Sequence, residues 1–347
     1  MLASLDSDKH NFGQTVRLME RASGLWFRKP RPVFWEYLFF GKTSPLKKYF
    51  SEPNATGRSL DKYLFNLEVE IEAEWIGHSR GVPRAQDVSV SEEHFYAFGV
   101  LLGYSFLFGI RDLHRHNLIL TPTHMQVIDA EVVLTNLTLP HETVLLPFKD
   151  IGFETCGASL IANSIREISQ AQRRELFRGY FDLFAVAFKN HTEILQELKS
   201  VVDATPVRVI LRNTREYTKH LNGHSLIKDL LNEERVQLAR GDIPYFFKRL
   251  GKRDLFWISS EDGAALPVDG LGVFQADIDR HALLPETLLR NKDIIEKKMV
   301  QGAFLLQKLL VDDTEYEFQW NHKPIRFNLS GLTNESTGRQ FLKASPS

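Results

Sequence analysis

The chain reads as an α+β fold in which strands come first and helices follow. Three observations predict it. Two short strand-like runs, Val16 to Glu20 and Leu25 to Arg28, flank the turn-forming Arg21-Ala22-Ser23-Gly24, and residues 67–74 alternate strictly between apolar residues and Glu. Phe95 to Ile110 is apolar almost throughout, and from Ile161 to Lys189 apolar and aromatic residues recur at helical spacing. With 347 residues and 43% hydrophobic content, the chain has room for one large domain or two and for a sizeable core.

In chain order, Asp8-Lys9-His10-Asn11-Phe12-Gly13-Gln14-Thr15-Val16 leads into the first strand. Its Gly-bearing loop could cover phosphates, although a single glycine matches a Gly-rich motif weakly and the loop taken alone reads as an ordinary turn. The second strand ends in Phe27-Arg28-Lys29-Pro30-Arg31, where a Lys leaving an antiparallel pair can contact nucleotide phosphates; a solvated basic cluster is the alternative. Trp35 to Phe40 predicts a short aromatic helix, and residues 51–59 have loop chemistry. The period of two over residues 67–74 predicts a strand with one buried face and one acidic, solvated face. His78 to Val90 is expected to be a surface loop. Ser91-Glu92-Glu93 caps a helix over the apolar run, which at sixteen residues with three glycines is short for a membrane span and suits a helix buried on all sides.

After that helix comes Arg111-Asp112-Leu113-His114-Arg115-His116-Asn117, then Leu118 to Leu120, and after a turn Gln126-Val127-Ile128-Asp129-Ala130-Glu131. An Asp, an Asn five residues on and a second Asp seventeen after the first repeat the polar spacing of a kinase catalytic loop and metal loop. A loop entering a strand pair can aim Asp112 at a substrate hydroxyl while Asn117 and Asp129 reach one magnesium ion from two sides. A β-hairpin with a solvated polar loop is the alternative. Further on, the stripe Leu176, Phe177, Tyr180, Phe181, Phe184 and Phe188 reads as core packing, and Ile194 to Val202 continues it. Val207 to Thr214 predicts a strand with two arginines before a helix at Glu216 to Leu221, a candidate anion site or else a surface strand with solvated arginines. Leu226 to Arg240 predicts a helix stopped by Gly241, and Asp277 to Leu310 is expected to be mostly helical. From Val311 the chain turns polar, and Ser330 to Ser347 is expected to lack order.

A net charge of −1 argues against nucleic acid or an anionic membrane as the main partner. The single cysteine, Cys156, excludes an internal disulfide and a thiolate zinc cluster. The first ten residues, MLASLDSDKH, turn polar at once and carry no signal peptide, so a cytoplasmic protein without a membrane span is expected.

These segments together resemble the dehydratase domain of class II lanthipeptide synthetases, the LanM type. The resemblance spans Asp8 to Ala303 and rests on Asp8-Lys9-His10 with Gly13 and Val16, on Arg28 to Arg31, and on Asp112 to Asn117 with Asp129-Ala130-Glu131. It continues in Val207 to Thr214 with Tyr217, and in Gly241-Asp242-Ile243-Pro244-Tyr245-Phe246. It implies a divergent protein/lipid-kinase-like bilobal fold with a small β-containing N-lobe over residues 1–90, a larger helical C-lobe over 91–330 and a disordered tail over 331–347. The implied activity uses ATP and Mg2+ to phosphorylate Ser and Thr of a leader-bearing precursor peptide and then eliminates phosphate, leaving dehydroalanine or dehydrobutyrine.

By position, the resemblance implies that Lys29 holds the nucleotide phosphates, that Asp112 acts on the substrate hydroxyl with support from His114, and that Asn117 and Asp129 bind magnesium with Glu131 beside them. Arg208 and Thr214 serve elimination, together with Asp8 and His10. A guanidinium and a hydroxyl aimed at a leaving phosphate fit that step, because they stabilise the charge developing on it. Members of the family carry a further N-terminal region and a zinc-dependent cyclase that this sequence lacks, so the N-lobe is expected to be truncated. Ring closure then falls to a separate cyclase, and a split N-terminal partner is the companion expectation. A kinase that phosphorylates without eliminating, and an inactive nucleotide- or peptide-binding pseudoenzyme, are the alternatives.

Overall fold

A computed structural model describes residues 2–4, 8–54, 56–83, 87–148, 151–201, 205–310, 315–320, 323–328, 331–334 and 339–343. Met1 and residues 5–7 of the polar N-terminus, Ala55, residues 84–86, Val202, residues 311–314 and residues 330, 335–338 and 344–347 of the tail lie outside the described residues.

β1 (Leu2–Ser4), β2 (Arg17–Arg21) and β3 (Gly24–Lys29) precede α1 (Phe34–Phe40), α2 (Asp61–Leu64), β4 (Val69–Ala73) and β5 (Ile76–Arg80). The strands form an antiparallel sheet in the order β1-β2-β3-β5-β4. The β2–β3 turn is pinned by Trp26, whose indole N–H donates to Ser23 Oγ at 2.9 Å. The period-two stretch is β4, at the sheet edge, and it departs from expectation. Neither face is buried, and Ile71 is 49% exposed. Its glutamates and the two that flank it are held by neighbouring side chains instead: Glu70 by Arg21 at 2.6 Å, Glu68 by Lys42 and Arg80, Glu72 by the His78 ring at 2.7 Å and Glu74 by Arg249 at 2.9 Å. Charge along an exposed edge discourages pairing with other chains, which accounts for an alternation that buries nothing. The expected loop from His78 begins inside β5, with His78 buried.

α3 (Glu92–Phe108) starts at Ser91, whose backbone N–H donates to His94 Nδ1 at 3.1 Å, and stops at Gly109 in the left-handed region, φ 64. Every residue from His94 to Phe108 is buried. The hairpin β6 (Leu118–Leu120) and β7 (Met125–Val127) follows, then α4 (Gln170–Lys189) and α5 (His191–Val201). α4 begins nine residues later than the expected stretch, because residues 153–155, 157–160 and 165–167 wind into 3-10 turns before the Ser169 cap. α3 and α4 cross at glycines. A Cβ on Gly99 would lie 2.0 Å from Leu176 O, and one on Gly179 would lie 2.0 Å from Tyr96 O.

The rest of the chain is β8 (Val207–Val209), α6 (Thr214–Leu221), α7 (Asn232–Ala239), β9 (Phe246–Lys248), β10 (Leu255–Ile258), β11 (Ala265–Pro267), α8 (Gln275–Ile278), α9 (Pro285–Leu288) and α10 (Lys292–Leu310). β8 to β11 form a second antiparallel sheet, order β11-β10-β9-β8, which was not foreseen beyond its first strand. The helix expected over residues 226–240 covers only α7. β12 (Tyr316–Trp320), β13 (Lys323–Asn328), β14 (Gly331–Asn334) and β15 (Arg339–Lys343) pair as an antiparallel meander, of which β14 and β15 fall in the stretch expected to lack order.

The main core joins α1, α3, α4 and α10, with Trp35, Phe39, Tyr104, Tyr180 and Met299 fully buried. Each such large side chain contributes about 1.5–3 kcal/mol of apolar burial. The buried polar tips are satisfied: Trp35 donates to Pro206 O at 2.7 Å, Tyr104 to Phe39 O at 3.0 Å and Tyr180 to Lys298 O at 3.1 Å. The first of these carries the N-terminal sheet's helix to the threshold of β8.

Candidate active site

The chain leaving α3 is held by its backbone on both sides of Asp112. Arg111 N–H donates to Val132 O at 2.8 Å and Leu113 N–H to Thr143 O at 3.0 Å. Asp112 itself has φ 63, a left-handed conformation that Asp tolerates better than bulky residues do. The 3-10 turn at residues 115–117 then folds back, and Asn117 Nδ2 donates to Asp112 O at 2.8 Å. The β6–β7 pairing returns the chain so that Ile128 N–H meets Asn117 O at 3.0 Å, which sets Asp129 beside Asn117. His114 Nε2 lies 3.8 Å from Asp112 Oδ1, and His114 Nδ1 accepts from His116 N–H.

Asp129 and Glu131 face a cation from the N-terminal sheet. Arg31 donates to Glu36 Oε1 at 2.6 Å and forms an ion pair with Asp129 Oδ1 at 2.8 Å, with its Nε 3.6 Å from Glu131 Oε2. Lys29 Nζ donates to both Glu36 oxygens at 2.9 Å and to Ile128 O at 2.6 Å. From the other side, Arg208 on β8 makes an ion pair with Glu131 Oε1, while its N–H donates to Glu131 O at 3.1 Å. Tyr245 O–H donates to Glu131 Oε2 at 3.0 Å, and the Arg208 guanidinium sits 5.0 Å over the Tyr245 ring. Cations and carboxylates therefore alternate from Lys29 through Glu36, Arg31 and Glu131 to Arg208.

A cleft of roughly 780 Å³ opens over these groups, a size that admits a small-molecule ligand or a short peptide segment. Asp8, His10, Asp112, His114, Asn117, Asp129, Glu131, Arg208 and Thr214 all line it. Lys29 does not, and the wall at its place is formed by Pro30 and Arg31. His10 is fixed through Nδ1, which donates to Ile243 O at 2.7 Å, leaving the lone pair on Nε2. Thr214 opens α6, where the Asn213 side chain caps the helix by accepting from Arg215 N–H at 3.0 Å.

The surrounding charges tune these groups. Burial, aided by Arg208, pushes the His10 imidazole down to about 4, so it is neutral at pH 7. Burial alone would raise Glu131, but Arg208 and Arg31 outweigh it and hold the carboxyl at about 2. Burial raises Asp112 against the opposing pull of His114 and Arg208, and raises Asp129 against Arg31. About a third of each of these two side chains, 33% and 31%, is open to the cleft. Asp8 stays exposed at the rim, where partial desolvation raises its carboxyl against Arg208.

Magnesium needs oxygen donors and keeps several waters, so two protein ligands suffice beside a phosphate chain. Among the described residues no cluster of three or more His, Cys, Asp or Glu is placed to hold a metal alone. Asn117 and Asp129 fit the smaller task. The Asn117 amide nitrogen is committed to Asp112 O, which leaves its oxygen for a cation, and Arg31 engages only one Asp129 oxygen. Glu131 does not fit the place expected beside them, because Arg208 occupies one oxygen and Tyr245 the other.

Reasoning from sequence gave no role to Glu36, Arg31 or Tyr245. Glu36 carried a usable signal, being a lone acid inside the apolar run Phe34 to Phe40, where a buried carboxylate demands a cation. A family described as "Domain of unknown function (DUF4135)" matches residues 2–171, a span that includes Lys29, Asp112, Asn117 and Asp129 and ends before Arg208 and Thr214. No curated protein matches the chain.

Proposed function

We propose that the chain is a lanthipeptide-type dehydratase on a divergent protein/lipid-kinase-like fold, working in the cytoplasm, which phosphorylates Ser and Thr of a precursor peptide with ATP and then eliminates the phosphate. The observation that carries this reading is that Asp112, Asn117 and Asp129 line the same cleft as Arg208, Thr214 and His10. A kinase needs only the first three; a second set of phosphate-facing and proton-accepting groups is what elimination adds.

Asp112, made more basic by burial, accepts the substrate hydroxyl proton as that oxygen attacks the γ-phosphorus. His114, 3.8 Å away, orients it. Bound magnesium neutralises phosphate charge, and Asn117 and Asp129 are the residues that would hold it. In this reading Lys29 exchanges its Ile128 contact for a phosphate while keeping Glu36, and Arg31 supplies positive charge at the wall. Elimination then removes the α-proton, the C–H electron pair becomes the new C=C bond, and the Cβ–O bond breaks with its electrons leaving on phosphate. Arg208 and Thr214 stabilise that leaving charge. His10 offers an unprotonated Nε2 at neutral pH for the proton.

The test is mass spectrometry of a Ser/Thr-rich precursor peptide incubated with the protein, ATP and Mg2+. The parent chain yields species that have lost water. Arg208→Met and Thr214→Ala accumulate phosphopeptide, with elimination slowed about 10²- to 10³-fold. Asp112→Asn, which tolerates the left-handed backbone, abolishes phosphorylation yet still eliminates from a chemically phosphorylated peptide. Unmodified dehydration by both elimination variants would sink the assignment, and phosphopeptide as the parent's end product would leave a kinase that stops at the first step.

A further inference from the structure

The segment Arg240 to Tyr245 touches the N-terminal loop at every turn, although more than two hundred residues separate them. Asp242 is fully buried and accepts from Phe12 N–H at 2.9 Å through Oδ2 and from Gly13 N–H at 2.8 Å through Oδ1. Ile243 N–H donates to Lys9 O at 2.7 Å, and Ile243 O receives His10 Nδ1 at 2.7 Å. The Arg240 guanidinium stacks 3.8 Å over the Phe12 ring and lies 3.3 Å from Asp242 Oδ2.

The loop's backbone explains why a carboxylate is needed. Asn11, Phe12 and Gly13 have φ 45, 69 and 74, three successive left-handed residues; Asn and Gly tolerate that conformation, whereas the bulky Phe12 resists it. Such a run turns consecutive N–H groups inward and makes a concave anion-binding nest. Asp242 fills the nest from within the protein. Without that charge the Phe12 and Gly13 amides lose their acceptor, and the strained turn is left to the Lys9 and His10 contacts with Ile243 and the His10–Gln14 backbone pairing, a looser hold on the Asp8 and His10 that line the cleft.

We propose that Asp242 is a positioning residue for the elimination step. It acts as an internal anion that clamps the 8–14 loop so that Asp8 and His10 stand opposite Arg208. The same segment then fixes the other side of the site, since Tyr245 holds Glu131 and Glu131 holds Arg208. The role in elimination rests on the dehydratase reading; the clamp itself rests on the geometry alone.

Two measurements separate the two claims. Hydrogen exchange of the folded protein reads the clamp. In Asp242→Ala, the Phe12 and Gly13 amides exchange about tenfold faster than in the parent, with the α3–α4 core unchanged. Asp242→Asn keeps one acceptor oxygen and falls between the two. Gly13→Ala reaches the same loop without disturbing the buried acid: its Cβ meets nothing within 4 Å, so it acts only through the φ of +74. Peptide assays then read the role, with phosphorylation unchanged and elimination slowed about 10²-fold in Asp242→Ala and in the same direction in Gly13→Ala. Unchanged exchange in folded Asp242→Ala overturns the clamp; should that variant not fold, unchanged exchange in Gly13→Ala does so. Faster exchange with normal elimination overturns the positioning role. A parent that never modifies peptide defeats the dehydratase reading and leaves the exchange result to decide the clamp.

Discussion

Glu131 is where the cations of the two sheets meet, and its behaviour follows from what surrounds it. Buried and flanked by Arg31 and Arg208, it stays ionised to about pH 2. Both its oxygens are taken, by Arg208 and by Tyr245. A carboxylate so engaged organises the site and is a poor metal ligand. Removing one member of a buried ion pair leaves the other uncompensated, typically at a cost of about 3–5 kcal/mol. Glu131→Gln retains the shape and an acceptor for Tyr245 but strips Arg208 of its counter-charge, while Arg31 keeps Glu36 and Asp129. The loss should therefore sit at the lower end, about 3 kcal/mol in urea unfolding, with the slope against urea unchanged. A loss below about 1 kcal/mol would mean that the pair is screened by water and does not organise the cleft.

At the scale of elements, the α3–α4 crossing is a tightly specified contact in the core. Gly99 and Gly179 let the two backbones touch, and a Cβ at either position would stand 2.0 Å from a carbonyl oxygen on the facing helix. That carbonyl belongs to rigid helix, so the clash is relieved only by moving α4 off α3 and loosening the aromatic packing around Tyr96 and Tyr180. Gly99→Ala and Gly179→Ala, which would raise helix propensity on an exposed surface, should here destabilise by about 1–3 kcal/mol or more, seen as a lower melting temperature. An unchanged or raised melting temperature would show that the helices cross farther apart. The burial of α3 was legible because an unbroken apolar run has no solvent face to offer. The opposite error at β4 has an equally plain cause. Alternation marks two chemically distinct faces and does not say that either is covered, and charge on an edge strand produces the same pattern. β9 to β11 were illegible because strands of three or four residues, such as the wholly buried Phe246-Phe247-Lys248, show no period at all.

For the whole molecule, what could be read locally was read. Asp112, Asn117 and Asp129 lie within one loop and one hairpin, so their spacing alone suggested their convergence. Arg31 with Glu36 is nearly as local, and the lone acid in an apolar helix was its signal, whereas Glu131 with Arg208 and Tyr245 is a pairing set by the meeting of distant segments, and no local pattern announces it. The same assembly sets how stability responds to acid. His10, His124, His141 and His281 all have imidazoles lowered by burial, the first two to about 4. A histidine lowered in the folded state leaves the unfolded chain binding more protons, so its contribution is complete above pH 6.5 and is lost as pH falls towards about 4. Asp112, Asp129 and Asp182 have raised carboxyls and work in the opposite sense, so the total curve mixes the two. His124 isolates the effect because it lies away from the cleft, 8% exposed, with Asn66 at 3.1 Å from Nε2 and Thr121 at 3.0 Å from Nδ1. Replacing it by Gln removes its proton from the balance and leaves the carboxyls untouched. The stability difference between parent and His124→Gln should therefore shrink as pH is lowered from 6.5 to 4, by at most about 1.4 kcal/mol per pH unit, the value for one proton. A difference that stays constant across that window, measured by urea unfolding at closely spaced pH, would mean that His124 titrates alike in the folded and unfolded chain and is open to water.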